Sequence, residues 1–257
     1  MIVCIHGLFT SPAFWEPVAD RLSATHRVLR FSLPGFGDSE KPAHGNFQYR
    51  TADFVRILAD IVSSTEERNV TLLSHAHGAS LALAFAQEFP VFLKSAVLVS
   101  PSVFAPPGGL SRFSKPPFGS FVLKQLVGES LFVMLQSKGF RSSFQGATAH
   151  CKDWFASFAA PNTREATVAT LLHASDLSVT SARVPSIRTP CLVLGGIDDP
   201  WVTPALAKRL SYELPNATLD LLNCGHFAPV EAPDEVVAQI ERFQSSLAGR
   251  ANEGRRA

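Results

Sequence analysis

Two hydrophobic rhythms alternate along the first hundred residues. Short, nearly continuous apolar runs read as buried strands: Ile2-Val3-Cys4-Ile5, His26 to Leu33, Val70 to Leu73 and Ala96-Val97-Leu98-Val99. Between them, apolar positions recur every three or four residues, the spacing of one helix face. Ser11-Pro12 opens the first such stretch, with Ser11 as N-cap and Pro12 at the first helical position. Trp15, Val18, Ala19 and Leu22 then share a face. Thr51 to about Ser64 keeps the period through Phe54, Ile57, Leu58, Ile61 and Val62. Gly78 to Phe89 is a helix of small apolar residues, ended by Pro90. This alternation predicts an α/β fold, a mostly parallel sheet with helices on both faces.

The alternation stops at Pro101. Pro106-Pro107-Gly108-Gly109 and Pro116-Pro117 are followed by helix-like stretches, clearest over Phe121–Lys138 and Thr163–Ser175, with no convincing strand. Strand signals return at Cys191-Leu192-Val193-Leu194 and at Ala217 to Leu222. Helices are expected over Pro204 to Leu214 and Pro233 to Leu247, the latter with Val236, Val237, Ile240 and Phe243 inward. Residues 1–100 and 189–257 therefore read as one core, and 101–188 as a helical cap inserted into it.

Composition narrows the function classes. The chain has 257 residues, 46% hydrophobic and 18% charged, enough for a sizeable core. A net charge of +1 gives no basic face for phosphates, so a nucleic-acid partner is not expected. Arg250, Arg255 and Arg256 read as a frayed tail. No run of about 18 apolar residues occurs, so no membrane span is expected, and without a visible signal peptide the expected setting is cytoplasmic. Cys4, Cys151, Cys191 and Cys224 lack the paired spacing of a zinc site or a disulfide framework; Cys4 and Cys191 read as core. The 20 Phe against 2 Tyr point to an apolar pocket as well as a core.

Four loops follow predicted strands: His6-Gly7-Leu8, Ser74-His75-Ala76-His77-Gly78, Gly196-Ile197-Asp198-Asp199 and Cys224-Gly225-His226. Ligands of open α/β sheets bind at the carboxyl ends of strands, so these loops can converge. The order elbow, acid, histidine is that of a nucleophile, an orienting carboxylate and a general base. Ser74 and Gly78 are the small residues that a sharp strand-to-helix turn demands. The backbone N–H groups of Leu8 and His77 are the candidate oxyanion donors, with Asp199 orienting His226.

The segments IHGLFTSPAFW, LPGFGDSEKP, VTLLSHAHGASLALAFAQEFP, TPCLVLGGIDDPWVTP and NCGHFAPVEAPDEV, all five in this order, resemble the cap-bearing α/β-hydrolase superfamily over nearly the whole chain. The resemblance implies a helical lid over the site and a chemistry among esterases, lactonases, carbon–carbon bond hydrolases, peptidases and some lyases. No cofactor or metal motif occurs, so no cofactor is expected. Two features depart from the family pattern. The chain begins at the strand before His6, where many members have an antiparallel hairpin upstream, so the hairpin is either lacking or truncated. The elbow position, where members carry Ser, Asp or Cys, holds Ala76.

Simpler readings stand beside these. Ser74 sits two positions too early to be the nucleophile. Asp198 competes with Asp199, one orienting the histidine and the other capping the turn before Pro200. His75 and His77 are poorly disposed to share a metal, and His6 reads as ordering its own turn. His150 and His173 fall in the insertion. Phe9, Trp201 and Phe227 flank the candidate loops, and Phe104, Phe113, Phe118, Phe121 and Phe132 lie in or near the cap, to line a pocket or to pack the lid; Phe9, Phe104, Phe132, Trp201 and Phe227 are the expected substrate contacts. Three accounts of Ala76 are open: an inactivated Ser→Ala form of an ester, lactone or β-dicarbonyl hydrolase; natural proton-transfer chemistry by a His226–Asp199 dyad; or a ligand-holding protein without turnover. In each the ligand is a small, mostly apolar carbonyl compound.

Overall fold

A computed structural model describes residues 1–43, 45–104, 118–174 and 178–253. Six parallel strands form one sheet: β1 Ile2–Ile5, β2 Val28–Arg30, β3 Val70–His75, β4 Leu93–Val99, β5 Cys191–Gly196 and β6 Ala217–Leu222, in the spatial order β2-β1-β3-β4-β5-β6. The fold is that of an α/β hydrolase. β1, β3 and β5 are buried at every position and β4 at all but Lys94, which is why they read as apolar runs. The edge strands β2 and β6 are only partly buried. β2 is shorter than His26 to Leu33, because its ladder is limited to the pairs Ile2–Val28, Val3–Leu29 and Cys4–Arg30. β3 and β4 are longer than their apolar cores, since backbone pairing carries β3 on through Ser74 and His75 and starts β4 earlier, at Leu93.

The helices are α1 Glu16–Leu22, α2 Thr51–Ser64, α3 His77–Glu88, α4 Phe118–Phe121, α5 Glu129–Ser137, α6 Ala147–Ala159, α7 Thr163–Ala174, α8 Ser178–Arg183, α9 Pro204–Glu213, α10 Ala228–Glu231 and α11 Pro233–Glu253. Five of them, α4 to α8, lie between β4 and β5. Three expectations need correction. Residues 12–15 form a separate 3₁₀ turn and Ser11 makes no side-chain cap bond. Pro17 has no N–H to bond the carbonyl of Ala13, so one continuous helix from Pro12 is not available. The single helix expected over Phe121–Lys138 is broken: a π turn over Val122–Leu126 leads to Gly128, whose extended backbone is the N-cap of α5, and the two halves meet at 109°. The break lets Leu123, Val127 and Phe132 all reach the interior. α11 runs on to Glu253, past Leu247. The prolines at 106, 107, 116 and 117, Phe113 and the tail arginines 255 and 256 lie outside the described residues.

No single helix among the described residues is long and apolar enough to cross a membrane. All four cysteines are free and buried.

The strand order reverses between β1 and β3, and this crevice is where the candidate loops meet. Three consecutive sheet neighbours, β1, β3 and β4, are each followed closely by a non-glycine residue at positive φ: Phe9 (66°), Ala76 (48°) and Ser100 (44°). Such conformations cost about 1–3 kcal/mol each and persist only where the surroundings over-determine them. At the elbow they do. Ala76 N–H donates to the Val99 carbonyl (3.0 Å), and the Ala76 carbonyl accepts from Ala79 (3.1 Å) and Ser102 (3.2 Å).

α3 starts so close to β1 that a Cβ on Gly78 would lie 2.6 Å from the Ile5 carbonyl oxygen and 2.7 Å from that of His6. Both obstacles are backbone and cannot swing aside. Gly78→Ala is expected to lower the unfolding free energy by about 3 kcal/mol. A urea titration checks this; an unchanged midpoint would mean that α3 shifts freely.

Candidate active site

His226 and Asp199 face one another at the ends of β6 and β5. Nδ1 of His226 lies 2.8 Å from Oδ2 of Asp199, and both side chains are buried. The other oxygen, Oδ1, accepts the backbone N–H groups of Trp201 (2.8 Å) and Val202 (2.9 Å). Burial alone would raise the Asp199 pKa; the charge and hydrogen bond of His226 and the two N–H groups outweigh it and hold the carboxyl below its ordinary value. A carboxylate can only accept, so Nδ1 of His226 carries a proton, and Nε2 is the nitrogen that can accept one when the ring is neutral. Nε2 has no hydrogen-bond partner among the described residues.

Asp198 points elsewhere. It pairs with Arg141 (3.0 Å). The division of labour read from the sequence is therefore corrected: Asp199 alone both contacts the histidine and caps the turn after Pro200, because its two oxygens face opposite ways.

Three further histidines surround the elbow, all buried. His6 donates from Nδ1 to the Gly7 carbonyl (2.8 Å) and accepts the Leu33 N–H at Nε2 (3.0 Å), tying the β1 loop to the chain after β2. His75 donates from Nε2 to the carbonyl of His226 (3.1 Å), and its ring stands 4.8 Å from that of His226. Its Nδ1 lone pair is buried with no partner, against Gly7. His77 turns the other way, towards Phe54. Burial lowers the pKa of His6 and of His77 to about 4, and burial followed by the His226 charge pushes His75 well below its ordinary value. All three are neutral at pH 7. No group of three or more His, Cys, Asp or Glu able to hold a metal occurs among the described residues.

The N–H groups of Leu8 and His77 donate to no acceptor among the described residues. They sit on either side of the crevice, one after β1 and one at the first residue of α3. The His77 N–H lies at the positive end of the α3 dipole.

A family model described as "Alpha/beta hydrolase family" matches residues 2–239. The chain belongs to the α/β-hydrolase family. Among curated relatives, the 2-hydroxy-6-oxo-2,4-heptadienoate hydrolase of Pseudomonas putida is 27% identical, over 94% of this chain and 88% of its own. Among solved structures, the enol-lactonase of Burkholderia xenovorans superposes with a TM-score of 0.82 at 18% identity, covering 95% of this chain and 90% of that one. A thermophilic esterase from Thermogutta terrifontis superposes at 0.79 and 20% identity, covering 96% and 89%.

Within this hydrolase fold, the residues singled out from the sequence divide into two groups. Trp201 and Phe227 stand edge-on to the His226 ring, at 4.8 and 5.1 Å between ring centroids. Phe9 and Phe132 meet at 5.9 Å, and Phe132 stacks on Phe158 of α6, so they join the core to the inserted helices. Phe104 is not brought to the histidine; its ring lies under the Arg209 guanidinium at 4.0 Å. Among the described residues, Phe118 and Phe121 neither line the site nor pack the insertion. They are 82% and 55% exposed, because α4 is a single turn whose outer face has nothing against it among the described residues. Ser74 donates to the Val97 carbonyl (3.0 Å) inside the sheet and faces away from the site. His150 stacks beside Phe140 and Trp154.

Several residues at the site were not singled out from the sequence. Phe14 lies 4.5 Å from the His75 ring, and Trp154 and Phe140 pack on Phe227 at 4.6 and 4.7 Å. Glu231 accepts three backbone N–H groups around His226. Its position five residues after His226, at the end of α10, was the signal available in the sequence.

Proposed function

We propose that the chain is a nucleophile-less form of a hydrolase acting on a small, mostly apolar ester, lactone or β-dicarbonyl compound. The observation that carries this reading is the elbow itself. Ala76 holds φ 48°, ψ −113°, a conformation with no benefit to an alanine, and stands beside a buried His–Asp pair and two unspent N–H donors. In the parent reaction, a hydroxyl at position 76 would give its proton to Nε2 of His226 and attack the carbonyl carbon. The oxyanion would be held by Leu8 and His77, and the leaving group would take the proton back from His226. With a methyl at position 76 the attack has no atom to perform it. Carbonyl binding, polarisation and proton transfer at His226 remain.

Support for the substrate class comes from the aromatic cluster beside the histidine, in which Trp201 and Phe227 face His226 and Phe14, Trp154 and Phe140 pack on Phe227. The relatives named as a 2-hydroxy-6-oxo-2,4-heptadienoate hydrolase and an enol-lactonase support a carbonyl substrate. The inserted helices are read as the lid over it.

A second reading is favoured by one observation: Nε2 of His226 has no hydrogen-bond partner among the described residues, and Asp199 fixes the ring without a hydroxyl. Such a dyad can take a proton from carbon, with the enolate oxygen on the Leu8 and His77 donors.

The test is mass spectrometry of the chain incubated with aryl esters and with β-dicarbonyl compounds. The first reading expects ligand retention, no acyl adduct, and an adduct once Ala76→Ser is made. The second expects product from the chain as it stands and its loss in His226→Ala. Retention of no carbonyl ligand by any form would overturn both.

A further inference from the structure

The histidine loop is not held by the core alone. Each of its three successive backbone N–H groups ends on a specific acceptor. Gly225 and Phe227 donate to the two oxygens of Glu231, to Oε2 at 3.0 Å and Oε1 at 3.1 Å. His226 N–H donates to the carbonyl of Gly139 at 2.6 Å. Gly139 belongs to the inserted segment, between α5 and α6. Two residues on, Arg141 N–H donates to the same Oε2 of Glu231 at 2.8 Å. The Arg141 side chain then reaches across the site's outer edge: Nε pairs with Asp198 at 3.0 Å and Nη1 donates to the Asn223 carbonyl at 3.2 Å.

The backbones here are in direct contact. A Cβ on Gly225 would fall 2.2 Å from the Gly139 carbonyl oxygen, and one on Gly139 would strike the rings of Phe227 and Trp201 at 2.6–2.8 Å. The segment Gly139–Arg141 thus lies flush on the loop that carries the histidine, and one carboxylate ties the two together. A carboxylate is suited to this because it is acceptor-only, with two oxygens able to take several N–H groups at once.

We infer that Glu231 is a positioning residue for His226, and that with Gly139 and Arg141 it forms a latch making the inserted helices and the histidine loop one mechanical unit. The carboxylate fixes where the His226 ring stands relative to Asp199. Movement of the α5–α6 connection is transmitted to the ring through the N–H groups it holds. A ligand that draws this part of the insertion inwards therefore also resets the histidine. The chemical meaning of that reset rests on His226 being the base of the proposed reaction; the latch itself does not.

The experiment uses the full chain with labelled histidine. Glu231→Gln keeps the size but replaces one acceptor oxygen by an NH₂ group facing an N–H donor. Two readouts are followed in parallel with the thermal midpoint: the downfield Nδ1–H resonance of the His226–Asp199 hydrogen bond, and amide hydrogen exchange at residues 141, 225, 226 and 227. The expected result is loss or broadening of that resonance and about ten- to hundredfold faster exchange at those four amides, with β3 and β4 unchanged. Glu235→Gln, which removes a nearby negative charge and no hydrogen bond to the loop, is expected to do neither. An unaltered resonance, or faster exchange spread evenly over the molecule, would overturn the inference. Should Glu231→Gln fail to fold, native-state exchange of the unaltered chain in rising denaturant decides. The four amides must open together in one step below global unfolding, and four independent openings would defeat the latch. Neither measurement uses turnover, so the latch and the reading of Ala76 can fail separately.

Discussion

Ala76→Ser is expected to create an esterase. Removing the nucleophile of a complete triad costs on the order of 10⁶ in rate, and the reverse change should recover a large part of that where the rest of the machinery stands in place. Here the backbone already takes the elbow conformation, φ 48°, ψ −113°, so the new hydroxyl is delivered to the crevice without refolding the turn. His226 is already the tautomer that can accept its proton, because Asp199 holds the other nitrogen at 2.8 Å. The donors of Leu8 and His77 are not engaged by other described residues. We therefore expect hydrolysis of short aryl esters at least about 10³-fold above the unaltered chain, with stoichiometric labelling by a fluorophosphonate probe. Adding His226→Ala should abolish both. If Ala76→Ser folds normally and gains neither labelling nor turnover, this is not a hydrolase that merely lacks its nucleophile.

Acid should destabilise this protein well above the pH at which carboxylates titrate. His6 and His77 are buried neutral, with pKa about 4 against 6.5 for a free histidine. The unfolded chain takes up those protons below pH 6.5 and the native chain does not, so stability is whole above pH 6.5 and declines as pH falls towards 4. At pH 5 the gap is about 1.5 pH units per group, or about 2 kcal/mol each and about 4 together. His75 shifts in the same direction and adds to the loss. Asp199, whose carboxyl is held below its ordinary value, contributes a further decline only as pH falls below about 4. Set against a typical total of about 5–15 kcal/mol, the histidines alone remove much of the stability. The thermal midpoint should drop by about 10 °C between pH 7 and pH 5. A flat profile over that interval would mean that water reaches these rings. The three histidines around the elbow are thus folded in the neutral form, and protonating them opposes folding.

What the chain declares by itself is local. A strand buried on both faces must be apolar throughout, so β1, β3, β4 and β5 were legible as runs. A turn in which α3 passes within contact distance of the β1 backbone admits only a residue without a side chain, so Gly78 marked the elbow, and Ala76 two residues before it could be placed. The alternation of elements was enough for a parallel α/β sheet, and five motif segments in order carried the resemblance to the hydrolase fold. The tertiary structure alone decided which residues meet. Asp198 and Asp199 are adjacent in sequence and chemically identical, and only the direction of their side chains sends one to Arg141 and the other to His226. Phe104, Phe118 and Phe132 are alike as letters, yet one lies under an arginine, one faces solvent and one is buried beside Phe9. Glu231 carries no motif of its own. Its three N–H partners come from the loop beside it and from Arg141, 90 residues away in sequence. Periodicity reports how a segment meets the average interior, whereas a hydrogen bond between distant segments depends on where the chain has been brought by everything else that packs.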